Sequence, residues 1–139
     1  MKYIEINKRI TDFYSITLED ILLRIQPYIE NFKWSIQLID GVGNIEKIIG
    51  MNIVELEKYC DNSPKGYIID FSKLMTLSKT FKDIIDILIV GCEEEGKIPK
   101  AYKDDNWENN CNVIISREDS SLWQLFSQNS NIFMNLRKQ

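Results

Sequence analysis

Leu18, Ile21, Leu22, Ile25, Ile29 and Phe32 recur at three- and four-residue intervals, while Glu19, Arg24, Gln26 and Glu30 fall between them. That period puts the apolar side chains on one face and predicts an amphipathic helix over about 18–31. Thr17 followed by Asp20 resembles a capping box, with aspartate in place of the usual glutamate, and Pro27 predicts a kink. The period then changes. Trp34, Ile36 and Leu38 alternate with Ser35 and Gln37, which predicts a half-buried strand. "DGVGN" predicts a turn and "IEKII" a returning second strand. "NIVELEKYC" predicts a short helix capped by Asn52 and closed by "DNSPKG", and "YIIDF" a strand. "SKLMTLSKTF" predicts a helix from Ser72 with Leu74, Leu77 and Phe81 on one side. The apolar run "DIIDILIVG" reads as a central strand, with a helical continuation as the alternative. "CNVIIS" and "SLWQLF" predict a hairpin through "REDS". "NSNIFMNLRK" predicts a closing helix whose Arg137 and Lys138 suit its C-terminal dipole. Near the start, "YIEI" reads as a short edge strand or an arm.

Strands mixed irregularly with short helices, without regular βαβ alternation, predict an α+β domain: one mixed or mainly antiparallel sheet with helices packed against it. No repeat, low-complexity tract or linker divides residues 1–139, which read as one domain. Hydrophobic residues at 44% and charged residues at 27% are the mix of a soluble globular chain. The net charge of −4, with lysines and arginines scattered, argues against nucleic-acid binding and suits a basic protein partner better. "IIDILIV" is too short to span a bilayer, and "MKYIEINKRITDFY" lacks an apolar core of signal-peptide length, so neither membrane insertion nor export by that route is expected. Cys60, Cys92 and Cys111 are odd in number and form no CxxC, so they are expected as free thiols in a reducing cytoplasm.

Histidine is absent, which removes Ser-His-Asp and Cys-His catalysis and every His-ligated metal site. "DGVGNIE" fails as a dinucleotide loop, because Glu46 stands where the third glycine belongs. Calcium loops beginning at Asp40 or Asp104 fail at their sixth and twelfth positions, which are Ile45 and Met51, or Asn109 and Ile115. Asp70 and Asp86, each inside an apolar run, are the obvious carboxylate pair for hydrolysis. Their stronger reading is structural, with Asp70 capping a helix and Asp86 facing solvent. No enzyme, cofactor or metal is therefore expected. Among the tryptophans, Trp34 reads as core and Trp123 as a cover for the sheet's second face. Trp107, in "KDDNWENN", either packs its loop down or anchors an interface.

Acidity is local. Between Asp83 and Glu108 stand eight acids (Asp83, Asp86, Glu93, Glu94, Glu95, Asp104, Asp105, Glu108) against Lys97, Lys100 and Lys103, a net −5 that leaves about +1 for the rest. Together with Trp107 they form the candidate partner-binding face, because complementary charge speeds encounter and fixes orientation. A single small domain with such a face and no catalytic equipment resembles the immunity proteins of bacterial polymorphic and contact-dependent toxin systems. The hairpin "VIISREDSSLWQLFSQN" also looks like the closing hairpin of several small families of that kind. The resemblance implies a cytoplasmic protein that binds and neutralises a cognate toxin domain, often a nuclease with a basic active site. The alternative is a small ligand-binding or regulatory domain without catalysis, using the sheet and its aromatics as a pocket.

Overall fold

The capping pattern at Thr17 is realised. In the computed structural model, which describes residues 2–6 and 16–137, the Asp20 N–H donates to Thr17 Oγ1 at 3.1 Å and the Thr17 N–H to Asp20 Oδ2 at 3.0 Å. Helix α1 (Leu18–Ile29) follows, continues through Pro27, and buries Leu18, Ile21, Leu22, Ile25 and Ile29. Asn52 and Glu55 close a second capping box at the start of α3 (Ile53–Asn62). Asp70 Oδ1 accepts the Lys73 N–H at 2.7 Å and starts α4 (Phe71–Ser78), one residue before the expected Ser72. Each cap satisfies backbone donors that the first helical turn leaves unpaired. The last helix, α5 (Ser130–Arg137), lies where the apolar spacing put it. The roles expected of the Arg137 side chain and of Lys138 fall outside the described residues.

The strands are β1 (Lys2–Ile6), β2 (Lys33–Gly43), β3 (Tyr67–Ile69), β4 (Phe81–Cys92), β5 (Val113–Arg117) and β6 (Trp123–Ser127). They form one sheet in the order β1-β6-β5-β4-β2-β3, and every neighbouring pair is antiparallel. The α+β class read from the sequence is the class observed. β1 pairs only with β6 and is an edge strand. "DIIDILIVG" is strand throughout, and "VIISREDSSLWQLF" is the hairpin β5–β6. Among the described residues no helix is long and apolar enough to cross a membrane.

One face of the sheet carries the main core. Trp34, Ile36, Ile39, Ile87, Ile89, Val113, Ile115, Trp123 and Leu125 meet the apolar stripes of α1, α3 and α4, with Ile132 from α5. Each buried indole finds a backbone acceptor: Trp34 Nε1 donates to Ile29 O at 3.3 Å and Trp123 Nε1 to Ile16 O at 2.9 Å. A buried donor without a partner would forfeit its desolvation cost, so these bonds fix both ring orientations.

Several expectations are corrected. "IEKII" is not a strand, and "DGVGN" is not its turn: β2 runs on through Gly43, and Glu46–Ile49 form the single-turn helix α2, closed by Gly50 at φ +77°. The glycines serve close approach instead. A Cβ at Gly41 would stand 2.5 Å from Asp83 O, and one at Gly43 2.7 Å from Thr80 O, where β2 and β4 lose register. Phe81 begins β4 rather than riding on α4. Trp123 does not cover the second face. It faces the main core with Leu125, because Ile115 pairs with Leu125 and Arg117 with Trp123. Leu38 is the fourth. Ile36 pairs with Ile89 but Leu38 with Leu88, so Gln37 is a bulge residue and Leu38 turns to the face opposite Trp34 and Ile36.

Trp34 pairs with Gly91, and a Cβ there would stand 2.8 Å from the indole ring. Gly91→Ala is therefore expected to destabilise the fold by about 1–3 kcal/mol, the usual cost of overpacking a filled core. Trp34→Phe combined with Gly91→Ala should recover part of that loss relative to the sum of the single changes. Equal urea midpoints for Gly91→Ala and the natural chain would contradict this packing.

Candidate functional site

The second face of the sheet is half covered. The connection from β4 to β5, residues 93–112, folds back over it and buries Ile98, Ala101 and Cys111 against Leu88, Val90, Cys92 and Ile114. Three polar side chains hold this connection down. Gln37, 6% exposed, has its amide nitrogen 3.0 Å from Pro99 O, 3.1 Å from Lys65 O and 2.9 Å from Ser35 Oγ, and its oxygen accepts the Ala101 N–H at 3.0 Å. Lys65 Nζ donates to the carbonyls of Glu95, Gly96 and Ile98. Lys100 Nζ reaches the carbonyls of Cys60, Asp61 and Ser63 at the end of α3, where the helix dipole favours a cation. The connection is thus a fixed wall.

Beside the wall the described residues leave the face open, as two adjoining hollows of about 370 and 560 Å³ that share Leu88, Tyr102, Ser116 and Glu118. Together they make one groove. Its floor is Leu38, Leu88, Ile114 and Phe126, flanked by Ser116 and Gln124. Its lip is Tyr102 against Trp107, edge to face with ring centroids 5.2 Å apart. Tyr102 sits at φ +64°, a left-handed conformation rare for a bulky residue, and is 68% exposed above the floor. Six carboxylates line the rim: Asp40, Glu57, Asp86, Glu108, Glu118 and Asp119. Arg117 also borders the groove, yet its guanidinium is engaged elsewhere. It donates to Ile84 O, Ser120 O and Ser121 O and lies 5.4 Å from the Trp123 ring centroid.

Local electrostatics follow this layout. Desolvation of its hydroxyl raises the Tyr102 phenol above its ordinary value near 10, and the charges of Glu118 and Glu108 push it further the same way. The phenol is therefore a neutral donor at physiological pH. The thiols are structural: all three cysteines are buried and unbridged. Burial pushes Cys60 up to about 12 while its Sγ donates to Ile36 O at 3.1 Å. A hydrogen bond shared by Cys92 and Cys111 lowers the first and raises the second.

The acids singled out in the sequence are divided by the fold. Asp86, Trp107 and Glu108 line the groove. Asp86 is half-buried, and its Oδ1 accepts the Asp119 N–H at 2.9 Å, which holds the β5–β6 turn over β4. Trp107 packs on the second-face cluster, the first of the two roles considered for it, and it also lines the groove. Asp83 lies away from the groove, 4.0 Å from Arg117 Nη1. Glu93, Glu94 and Glu95 are exposed at the far end of the wall, Asp104 Oδ2 accepts the Lys100 N–H at 2.8 Å, and Asp105 is exposed at the tip. Asp40, Glu57, Tyr102, Glu118 and Asp119 escaped sequence reasoning, because they come from four separate elements. The one signal available was that Asp40 and Asp86 each interrupt an apolar strand. They are register partners on β2 and β4. No family model, curated protein or solved structure matches the chain.

Replacing Gln37 by leucine keeps the volume and removes the bonds. Each buried group left without a partner costs about 1–3 kcal/mol. The variant should lose stability in urea, and proteolytic cleavage within 93–111 should accelerate while the rest of the chain resists. A variant as stable and as protease-resistant as the natural chain would contradict the role given to Gln37.

Proposed function

We propose that this protein binds and neutralises a basic bacterial toxin domain in the cytoplasm, as an immunity protein does, and that the groove on the second face of the sheet is its docking surface. The observation that carries the reading is the join of an apolar floor to a rim of six carboxylates. Surfaces that hold another protein combine an apolar centre with a charged, hydrated rim, and the rim sets encounter rate and partner choice. A cationic cleft that holds phosphate in a nuclease would find in Asp40, Glu57, Asp86 and Glu118 a substitute for its substrate's charge. Inhibition would then be stoichiometric, by occupation of that cleft. The hollows also have the size of small-molecule sites, so a small ligand is the second reading. The openness of the groove along the sheet and the acid rim favour a larger cationic partner.

The test compares two triple variants for binding to the product of the neighbouring gene, which the proposal expects to be a basic toxin domain. Asp40, Glu57 and Glu118 are exposed, so reversing them to lysine should change stability little, by about 0.5 kcal/mol or less each. It should weaken binding by about tenfold or more, chiefly through slower association, and abolish protection of cells expressing the toxin. Reversing Glu93, Glu94 and Glu95, which lie outside the groove, should change affinity far less. The opposite ranking would move the interface to the end of the wall, and no loss from either set would remove charge from the interaction.

A further inference from the structure

The groove is not uniform along its length, and this gives the partner segment a pattern. At one end Asp40 and Asp86 face each other across β2 and β4, and Glu118 stands one residue beyond the last β4–β5 pair, Ile87 with Arg117. Two paired strands and the residue that follows a third therefore place carboxylates in one row, Asp40 and Asp86 spaced by about 4.8 Å, the distance between paired strands. A planar guanidinium, with its fork of donors, spans two such carboxylates better than a compact ammonium does. The cation already at this end is engaged: Arg117 is committed to three carbonyls of the β5–β6 turn and β4. At the other end the row formed by Ile114 and Phe126, register partners on β5 and β6, lies under Trp107. That end is apolar and aromatic, and suits a flat ring.

We infer that the groove takes an extended segment of the partner carrying an arginine and, four residues away, an aromatic side chain. The spacing follows from the sheet. Val90 pairs with Ile114, so the row of Asp86 and the row of Ile114 are four residues apart along β4. At about 3.3 Å per residue this is about 13 Å along the strands; the step from β4 to β5 adds about 4.8 Å sideways, and the diagonal of about 14 Å is within reach of four residues of extended chain. Tyr102, which with Leu88 lines both hollows, offers its phenol to the backbone of such a segment. The inference rests on the docking role proposed above and specifies what docks.

Acetylated, amidated pentapeptides test it on the full chain labelled with 15N. One has arginine first and tryptophan fifth, with glycine and serine between; in others arginine and tryptophan are adjacent, or glutamate replaces arginine. The first should shift the amides of Ser116 and Glu118 and the Trp107 indole together, with a Kd at least tenfold lower than the adjacent arrangement. The glutamate peptide should leave them unmoved. Equal binding at either spacing, shifts on another face, or no shift at millimolar peptide would overturn the inference. Shifts that grow with protein concentration alone would overturn it in favour of a second copy of this chain. The docking role itself is read separately: if the peptides fail while lysine at 40, 57 and 118 still abolishes toxin binding, the groove remains the interface and only the pattern falls.

Discussion

At Gln37 β2 gains one residue on β4, and the bulge sends an amide side chain into the space between the sheet and the 93–112 connection. There the amide meets the Pro99 carbonyl and the Ala101 N–H, and it shares the Lys65 carbonyl with the Ser35 hydroxyl. A connection between adjacent antiparallel strands needs only a few residues. This one is long, acidic and polar, and its sequence alone would leave it in solvent. The Gln37 amide, with the ammonium groups of Lys65 and Lys100 on backbone carbonyls, ties it to the sheet. The same bulge turns Leu38 outward and so supplies part of the floor beside the wall. One inserted residue thus shapes both the wall and the floor.

Charge is distributed accordingly. Lys100 of the connection and Lys65 of the α3–β3 loop point toward carbonyls, whereas the rim carboxylates other than Asp86 are exposed around an apolar floor. A groove with that arrangement repels anions and holds apolar surface ready for burial, so a segment bearing positive charge gains from both terms. Clustered acids oppose folding through mutual repulsion. Their placement around one concave surface, with Arg117 bound to the β5–β6 turn, gives that cost a role in recognition under the proposed function.

The helices were legible because their determinants are local. Thr17 with Asp20, Asn52 with Glu55, and Asp70 at its cap each lie within one turn of the residues they serve. The central strand β4 and the β5–β6 hairpin were legible from apolar runs and a polar turn. What escaped was set by pairing. A bulge is a relation between β2 and β4, and the alternation Trp34, Ile36, Leu38 reads the same with or without it. Gly41 and Gly43 suggest a turn from sequence alone, since glycine serves a tight turn and a close strand approach equally well. The site was hardest to see. Asp40, Glu57, Asp86 and Glu118 are gathered from four elements, and no window of sequence holds them, whereas Glu93, Glu94 and Glu95 stand together in sequence and apart from the groove.

The central claim is that the 93–112 connection is a fixed wall and not a solvated loop, and native-state hydrogen exchange at Ala101 tests it most directly. Its N–H donates to Gln37 Oε1 and is buried with the second-face cluster. It should exchange only through openings that cost a large share of the global unfolding free energy, far more slowly than the amides of the exposed Asp105 and Asn106 in the same connection. Exchange of Ala101 at the rate of those neighbours would show that the wall is not held, and the groove beside it would lose its definition.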